Sequence, residues 1–199
     1  ASAEDLANYI PKPTEYPPPN SGVYLAGELV VIDPINRRGG IRLIGDGNQK
    51  RYLEGPLHYF SMLPCGEVWY HGAPAALRDI PLGTHVQGYF YLPPTGEEAT
   101  IPPPPKEFEK LIPPYNHAVL LQDDFSFYKS RDQSWRIASV DFELSKLHVE
   151  SAGKIARDGL YGKQTFDFDL ATRVWRDGKP VEMKTVKPGT VVQLNLGWA

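Results

Sequence analysis

The chain has 199 residues, 41% of them hydrophobic and 12% aromatic, with a net charge of -3. This is the composition of a folded protein, and no apolar run approaches the ~20 residues that a membrane-spanning helix needs. Lysines and arginines are scattered among acids and offer no phosphate-binding field, so nucleic acid is an unfavoured partner.

The first 24 residues read as a Pro-rich docking arm. In Glu4 to Pro13, Leu6, Tyr9 and Ile10 recur at helical spacing just before proline, which predicts a short amphipathic helix with Ser2 as a possible N-cap. Too short to persist alone, it must dock. Residues 25–92 read as a first β-barrel. "LVVID" (Leu29 to Asp33) and "YFSML" (Tyr59 to Leu63) are strands, and "GDGNQK" (Gly45 to Lys50) is a turn without the later acid of a calcium loop. "HYFSML" and "EVWYH" form a hairpin around Pro64 to Gly66, with Cys65 at its turn. Cys65, the single cysteine, has no internal disulfide partner and does not fix a redox compartment. In the strand from His85 to Tyr91, Val86, Gly88 and Phe90 face inward and His85, Gln87, Tyr89 and Tyr91 outward.

Residues 93–117 form a second Pro-rich segment. There Phe108, Leu111 and Ile112 repeat the spacing of the first arm, in a second short helix over Lys106 to Tyr115. Residues 118–199 read as a second barrel, led by an extra strand, "AVLLQDDFSFY" (Ala118 to Tyr128). The acids Asp123 and Asp124, on opposite faces of that strand, are assigned to a solvated strand end.

A long repeat supports the division. "VWYHGAPAALRDIPLGTHVQ" (Val68 to Gln87) returns as "VWRDGKPVEMKTVKPGTVVQ" (Val174 to Gln193). His71-Gly72 in one copy and Asp177-Gly178 in the other occupy a tight turn. Leu77, Ile80 and Gly83 are matched by Met183, Val186 and Gly189, at the spacing of a 3₁₀ turn plugging a barrel end. "LVVID" corresponds to "IASVD" (Ile137 to Asp141) and "YFSML" to "TFDFD" (Thr165 to Asp169). The expected fold is all-β: two tandem small antiparallel barrels with Pro-rich arms carrying short helices.

The pattern Val174-Trp-Arg-Asp-Gly-Lys-Pro, then Val186-Lys-Pro-Gly-Thr-Val-Val, resembles a group of small exported bacterial domains of unknown function, OB-like barrels that read D-G-K and then L-K-x-G-x-x-V. The resemblance covers chiefly residues 134–197 and more loosely 25–92. It implies a periplasmic, cell-envelope or extracellular location and carries over no catalytic residue. A chain beginning Ala-Ser-Ala-Glu without Met suits an exported protein after signal removal, as it suits an artificial start.

No G-x-S-x-G elbow is present, and no enzyme is expected. The favoured function is a noncatalytic structural or interaction protein of an envelope or extracellular assembly, requiring no cofactor and binding a protein partner or itself through its arms. The expected contact residues are Leu6, Tyr9, Ile10, Tyr16, Tyr89, Tyr91, Phe108, Leu111 and Ile112, because proline packs well on tyrosine faces. The alternative is a small-ligand or metal module on His58, His71 and His85. Cys65 is excluded from that set because six strand residues, at ~3.3 Å each, separate it from either neighbouring histidine.

Overall fold

The computed structural model describes residues 9–12, 15–18, 21–43, 57–154 and 158–197. Contacts divide the chain into two units, residues 1–127 with 195–198, and residues 128–194. The first unit contains a closed five-stranded barrel. Strand β1 (Val23–Asp33) turns into β2 (Arg38–Leu43) through Asp33, whose carboxylate accepts bonds from the Asn36 backbone and side chain, and through Arg37 in the left-handed region at φ 51°. β2 pairs with β3 (Leu57–Tyr70), which reverses at His71-Gly72 into β4 (Ala73–Ala75). Both turn residues have positive φ, 52° and 78°, matching a two-residue hairpin turn whose twist suits the flanking strands. A 3₁₀ turn at Leu77–Asp79 follows, and β5 (His85–Tyr91) pairs antiparallel with β1. β6 (His117–Asp123) then inserts antiparallel to β5 and parallel to β3. The order β1-β2-β3-β6-β5 returns to β1 and leaves none of the five as an unpaired edge.

Inward side chains fill this barrel. Leu29, Ile41, Phe60, Val86, Phe90, Ala118 and Leu121 are fully buried, Leu77 and Ile80 join the same cluster, and Phe60 meets Phe90 edge to face at 5.8 Å. Close strand approach also requires glycine: a Cβ at Gly27 would lie 2.3 Å from the Arg42 carbonyl oxygen. Backbone cannot retreat as a flexible side chain can, so Gly27→Ala is expected to cost about 1–3 kcal/mol, the usual range for overpacking. A urea midpoint equal to that of the parent chain would contradict this contact.

Several expectations are corrected. The apolar run after Ala118 does not lead the second half. It is β6, which closes the first barrel and ends at Asp123, where a short helix α1 (Asp124–Lys129) begins. No hairpin forms around Pro64 to Gly66. β3 runs through them because its register with β6 shifts between Met62 and Glu67, the sort of bulge that tolerates proline. The carbonyls of Leu63, Pro64 and Gly66 accept bonds from the Arg37 guanidinium. Residues 106–112 form consecutive turns in which Leu111 and Ile112 N–H both bond to the Phe108 carbonyl, and no helix is assigned there. Of the N-terminal helix, residues 4–8 and Pro13 lie outside the described residues, and Tyr9 to Lys12 have no regular structure. "GDGNQK" also lies outside them.

The strands of the second unit are β7 (Gln133–Asp141), β8 (Lys146–Gly153), β9 (Lys163–Asp167), β10 (Val174–Arg176), β11 (Lys179–Val181) and β12 (Val191–Val192). They form a four-stranded sheet in the order β12-β7-β8-β9 and a hairpin of β10 and β11. Trp135, Ile137, Leu147, Val149 and Phe166 are buried in it, with Trp135 edge-on to both Tyr128 and Phe166. Among the described residues this sheet does not close. Its registers nevertheless repeat those of the first unit. Ile41↔His58 and Gly39↔Phe60 are matched by Val149↔Gln164 and Leu147↔Phe166, and Trp69↔Pro74 by Trp175↔Pro180. The irregularity between Leu29 and Val31 recurs between Ile137 and Ser139. Gly83 N–H bonds to the Leu29 carbonyl as Gly189 N–H does to that of Ile137. No helix among the described residues is long and apolar enough to cross a membrane.

Candidate functional site

The chemistry-bearing side chains of the first unit gather behind β6. Asp123 and Asp124, expected at a solvated strand end, are both buried, at 0% and 1% exposure. They remain tolerable there because every carboxylate oxygen accepts a bond. Asp123 takes the Ser126 N–H at 2.9 Å on one oxygen, as a cap for α1, and the His71 N–H and Asn195 amide, both at 3.0 Å, on the other. Asp124 takes His85 Nδ1 and Gln87 Nε2, both at 2.6 Å, on Oδ1 and the Leu196 N–H at 3.0 Å on Oδ2. Gln87 Oε1 in turn accepts the Tyr24 hydroxyl at 2.6 Å. The last residue of β6 and the first of α1 thus have separate partner sets, and both serve as locks at the end of the closing strand. The sequence signal was Asp123 standing three residues before Ser126, an N-cap spacing hidden by reading the run as strand to Tyr128.

The three candidate histidines have different surroundings. His58 is 1% exposed inside the barrel, edge-on to Phe90 at 5.7 Å. Its Nε2 donates to the Tyr115 carbonyl at 2.9 Å, which leaves Nδ1 as a buried acceptor without a hydrogen-bond partner among the described residues. Burial pushes its pKa down to about 4, against a small upward pull from that carbonyl. His71 is exposed at the hairpin turn and stacks on Phe125 at 6.0 Å; His85 lies buried against Asp124. Among the described residues, no three His, Cys, Asp or Glu side chains are grouped to hold a metal ion. His117, absent from the candidate set, is also buried, and desolvation lowers its pKa despite Glu97 nearby.

The outer face of the barrel carries a second apolar cluster. Leu63, Tyr91 and Val119 are buried there, with Tyr9, Cys65, Tyr89 and Leu120 packed against them. Tyr9 meets Tyr91 edge-on at 6.2 Å, and the Tyr91 hydroxyl donates to the Ser21 carbonyl at 3.0 Å. His85, Gln87 and Tyr91 therefore face outward as read from the strand, yet are buried by α1, the arm and the segment at Leu196. Ile10 and Tyr16 are 49% and 58% exposed, Leu111 is exposed, and Phe108 and Ile112 are half-buried. Leu6 lies outside the described residues. Leu63 and Val119 were missed because an apolar residue on an outward strand position gives no sign of what covers it.

A groove of about 480 Å³ lies along the β3–β4 hairpin, with Trp69, Glu67, Arg37 and Arg78 among its lining residues. Trp69 Nε1 donates to Glu67 at 3.0 Å, and the Arg37 guanidinium is engaged with the carbonyls of Leu63, Pro64 and Gly66. No protein-family model, curated protein or solved structure matches the chain.

Proposed function

We propose that the chain is a noncatalytic structural or interaction protein of a bacterial envelope or extracellular assembly, built from a duplicated OB-like unit and tied to neighbours through its Pro-rich arms. The observation that carries the reading is Tyr9 packed on Tyr91, which gives the N-terminal arm a prepared face of Leu63, Val119 and Tyr91. Every copy carries that face, so an arm exchanged onto a neighbour finds the same contacts without a new surface. Proline-rich straps lose little entropy when fixed, which favours this use. Supporting the finer fold are the five-strand order with its parallel β3–β6 pair, as in OB barrels, and the shared registers of the two units. The resemblance at Val174 to Val192 supports the exported location. The engaged state of Asp123 and Asp124 supports a noncatalytic role.

Deleting residues 1–19 and measuring molar mass by light scattering tests it. The reading expects an assembly that dissociates to monomer on deletion; equal mass before and after would refute arm-mediated linkage.

A further inference from the structure

The register match between the units has one exception. Each pairing among β1, β2, β3, β4 and β5 has a counterpart in the second unit, whereas among the described residues the two pairings made by β6 have none. β12 and β9, which correspond to the neighbours of β6, are the edges of the open sheet. The matching core positions are correspondingly uncovered: Val68, Leu77, Ile80 and Val86 are buried, but Val174, Met183, Val186 and Val192 are only half-buried. Trp175 is 65% exposed. The single strand β3 is also represented by two pieces, β9 and β10; in the first unit β6 spans the equivalent region, pairing on both sides of the bulge. Gln193, at the position of Gln87, donates its amide to the Gln133 carbonyl at 3.0 Å, and among the described residues its Oε1 is buried without a hydrogen-bond partner.

We infer that the second unit is a strand acceptor, which completes its barrel by β-addition of an extended acidic segment from another protein, lying antiparallel to β12 and parallel to β10. β6 is the template for the occupant: small and branched apolar residues toward the core, as Ala118 and Leu121 are, and carboxylates at the end beside the hairpin turn, as Asp123 and Asp124 are. Charge selects the acidic character. Glu67, Tyr70, Ala73 and Pro81 around the first hairpin are replaced by Arg173, Arg176, Lys179 and Lys187 around the second. Against these four stand two acids, Asp177 and Glu182 in place of His71 and Ala76, so a carboxylate arriving at the turn would meet a net basic rim. Backbone pairing would supply affinity and alternate side chains the selectivity, as in other strand-addition complexes. The inference stands on register and burial in the second unit and is independent of the arm reading.

The probe is a synthetic peptide of residues 117–126, HAVLLQDDFS, added to the full chain and followed by Trp fluorescence and calorimetry. The expected result is saturable one-to-one binding, weakened about tenfold or more by the exposed double change Arg176→Glu with Lys179→Glu at unchanged Tm. The same peptide carrying Ala118→Asp and Leu121→Asp should not bind. Absence of saturable binding to the parent chain overturns the inference, as does equal binding by the substituted peptide, which would mean that charge alone is read. Light scattering of the chain lacking residues 1–19, without peptide, completes the test: a monomer supports an acceptor awaiting another protein, whereas a dimer that refuses the peptide would show a second copy filling the edge.

Discussion

Replacing Asp124 with alanine is expected to lower stability by about 3–5 kcal/mol, the range for removing one partner from a buried charged network. Three donors lose their acceptor together: His85 Nδ1, Gln87 Nε2 and the Leu196 N–H. Asp124 is 1% exposed, so water cannot readily replace the lost bonds. For a chain of this size such a loss moves the melting temperature by roughly 10 °C. Asp124→Asn should fall between, because it preserves one acceptor oxygen and sets an amide donor against donors on the other side. Scanning calorimetry checks both; a loss under about 1 kcal/mol for the alanine variant would mean that this carboxylate does not hold β5 to the closing strand.

Acid should destabilise the first barrel through His58. Its folded pKa, about 4, lies below its ordinary value of 6.5, so the unfolded chain binds the proton more readily. The stabilisation relative to a protonated histidine is fully present above pH 6.5 and is lost as pH falls through 4. That interval corresponds to about 3 kcal/mol. His117, lowered in the same sense by burial, adds to the acid limb. Urea unfolding at several pH values between 7 and 4 measures the slope, and His58→Phe isolates the contribution of His58. The variant forfeits the bond to Tyr115 but removes the unpartnered Nδ1, and it should show a distinctly shallower acid limb. Identical slopes in the two proteins would place the proton uptake elsewhere.

The sequence carried the local geometry well. Asp177-Gly178 and His71-Gly72 fixed the hairpins, and Leu77 to Gly83 fixed the 3₁₀ turn, because φ requirements and short spacings act within a few residues. Alternation along His85 to Tyr91 gave the inward set correctly. What could not be read was partner choice. The apolar run of β6 matches any buried strand, and its parallel pairing with β3 joins Ser61 to His117, far apart in the chain. The repeat in the sequence also gave no sign that one sheet closes and the other, among the described residues, stays open, since the repeat contains no residue of β6. The candidate contact set divided for the same reason: Tyr9, Tyr89 and Tyr91 meet at one cluster, but helical spacing at Phe108, Leu111 and Ile112 did not create a helix in a segment crowded with proline.

The asymmetry between a closed and an open sheet is tested most directly by residue-resolved amide hydrogen exchange on the chain in the absence of any added segment. Amides of β3 from Glu67 to Tyr70 and of β5 should exchange as slowly as the rest of the first barrel. Those of β10 and β12, at matched positions in the second unit, should exchange orders of magnitude faster. Equal protection at the matched positions would contradict the account, because the second sheet would then be closed by pairings that the structure does not contain.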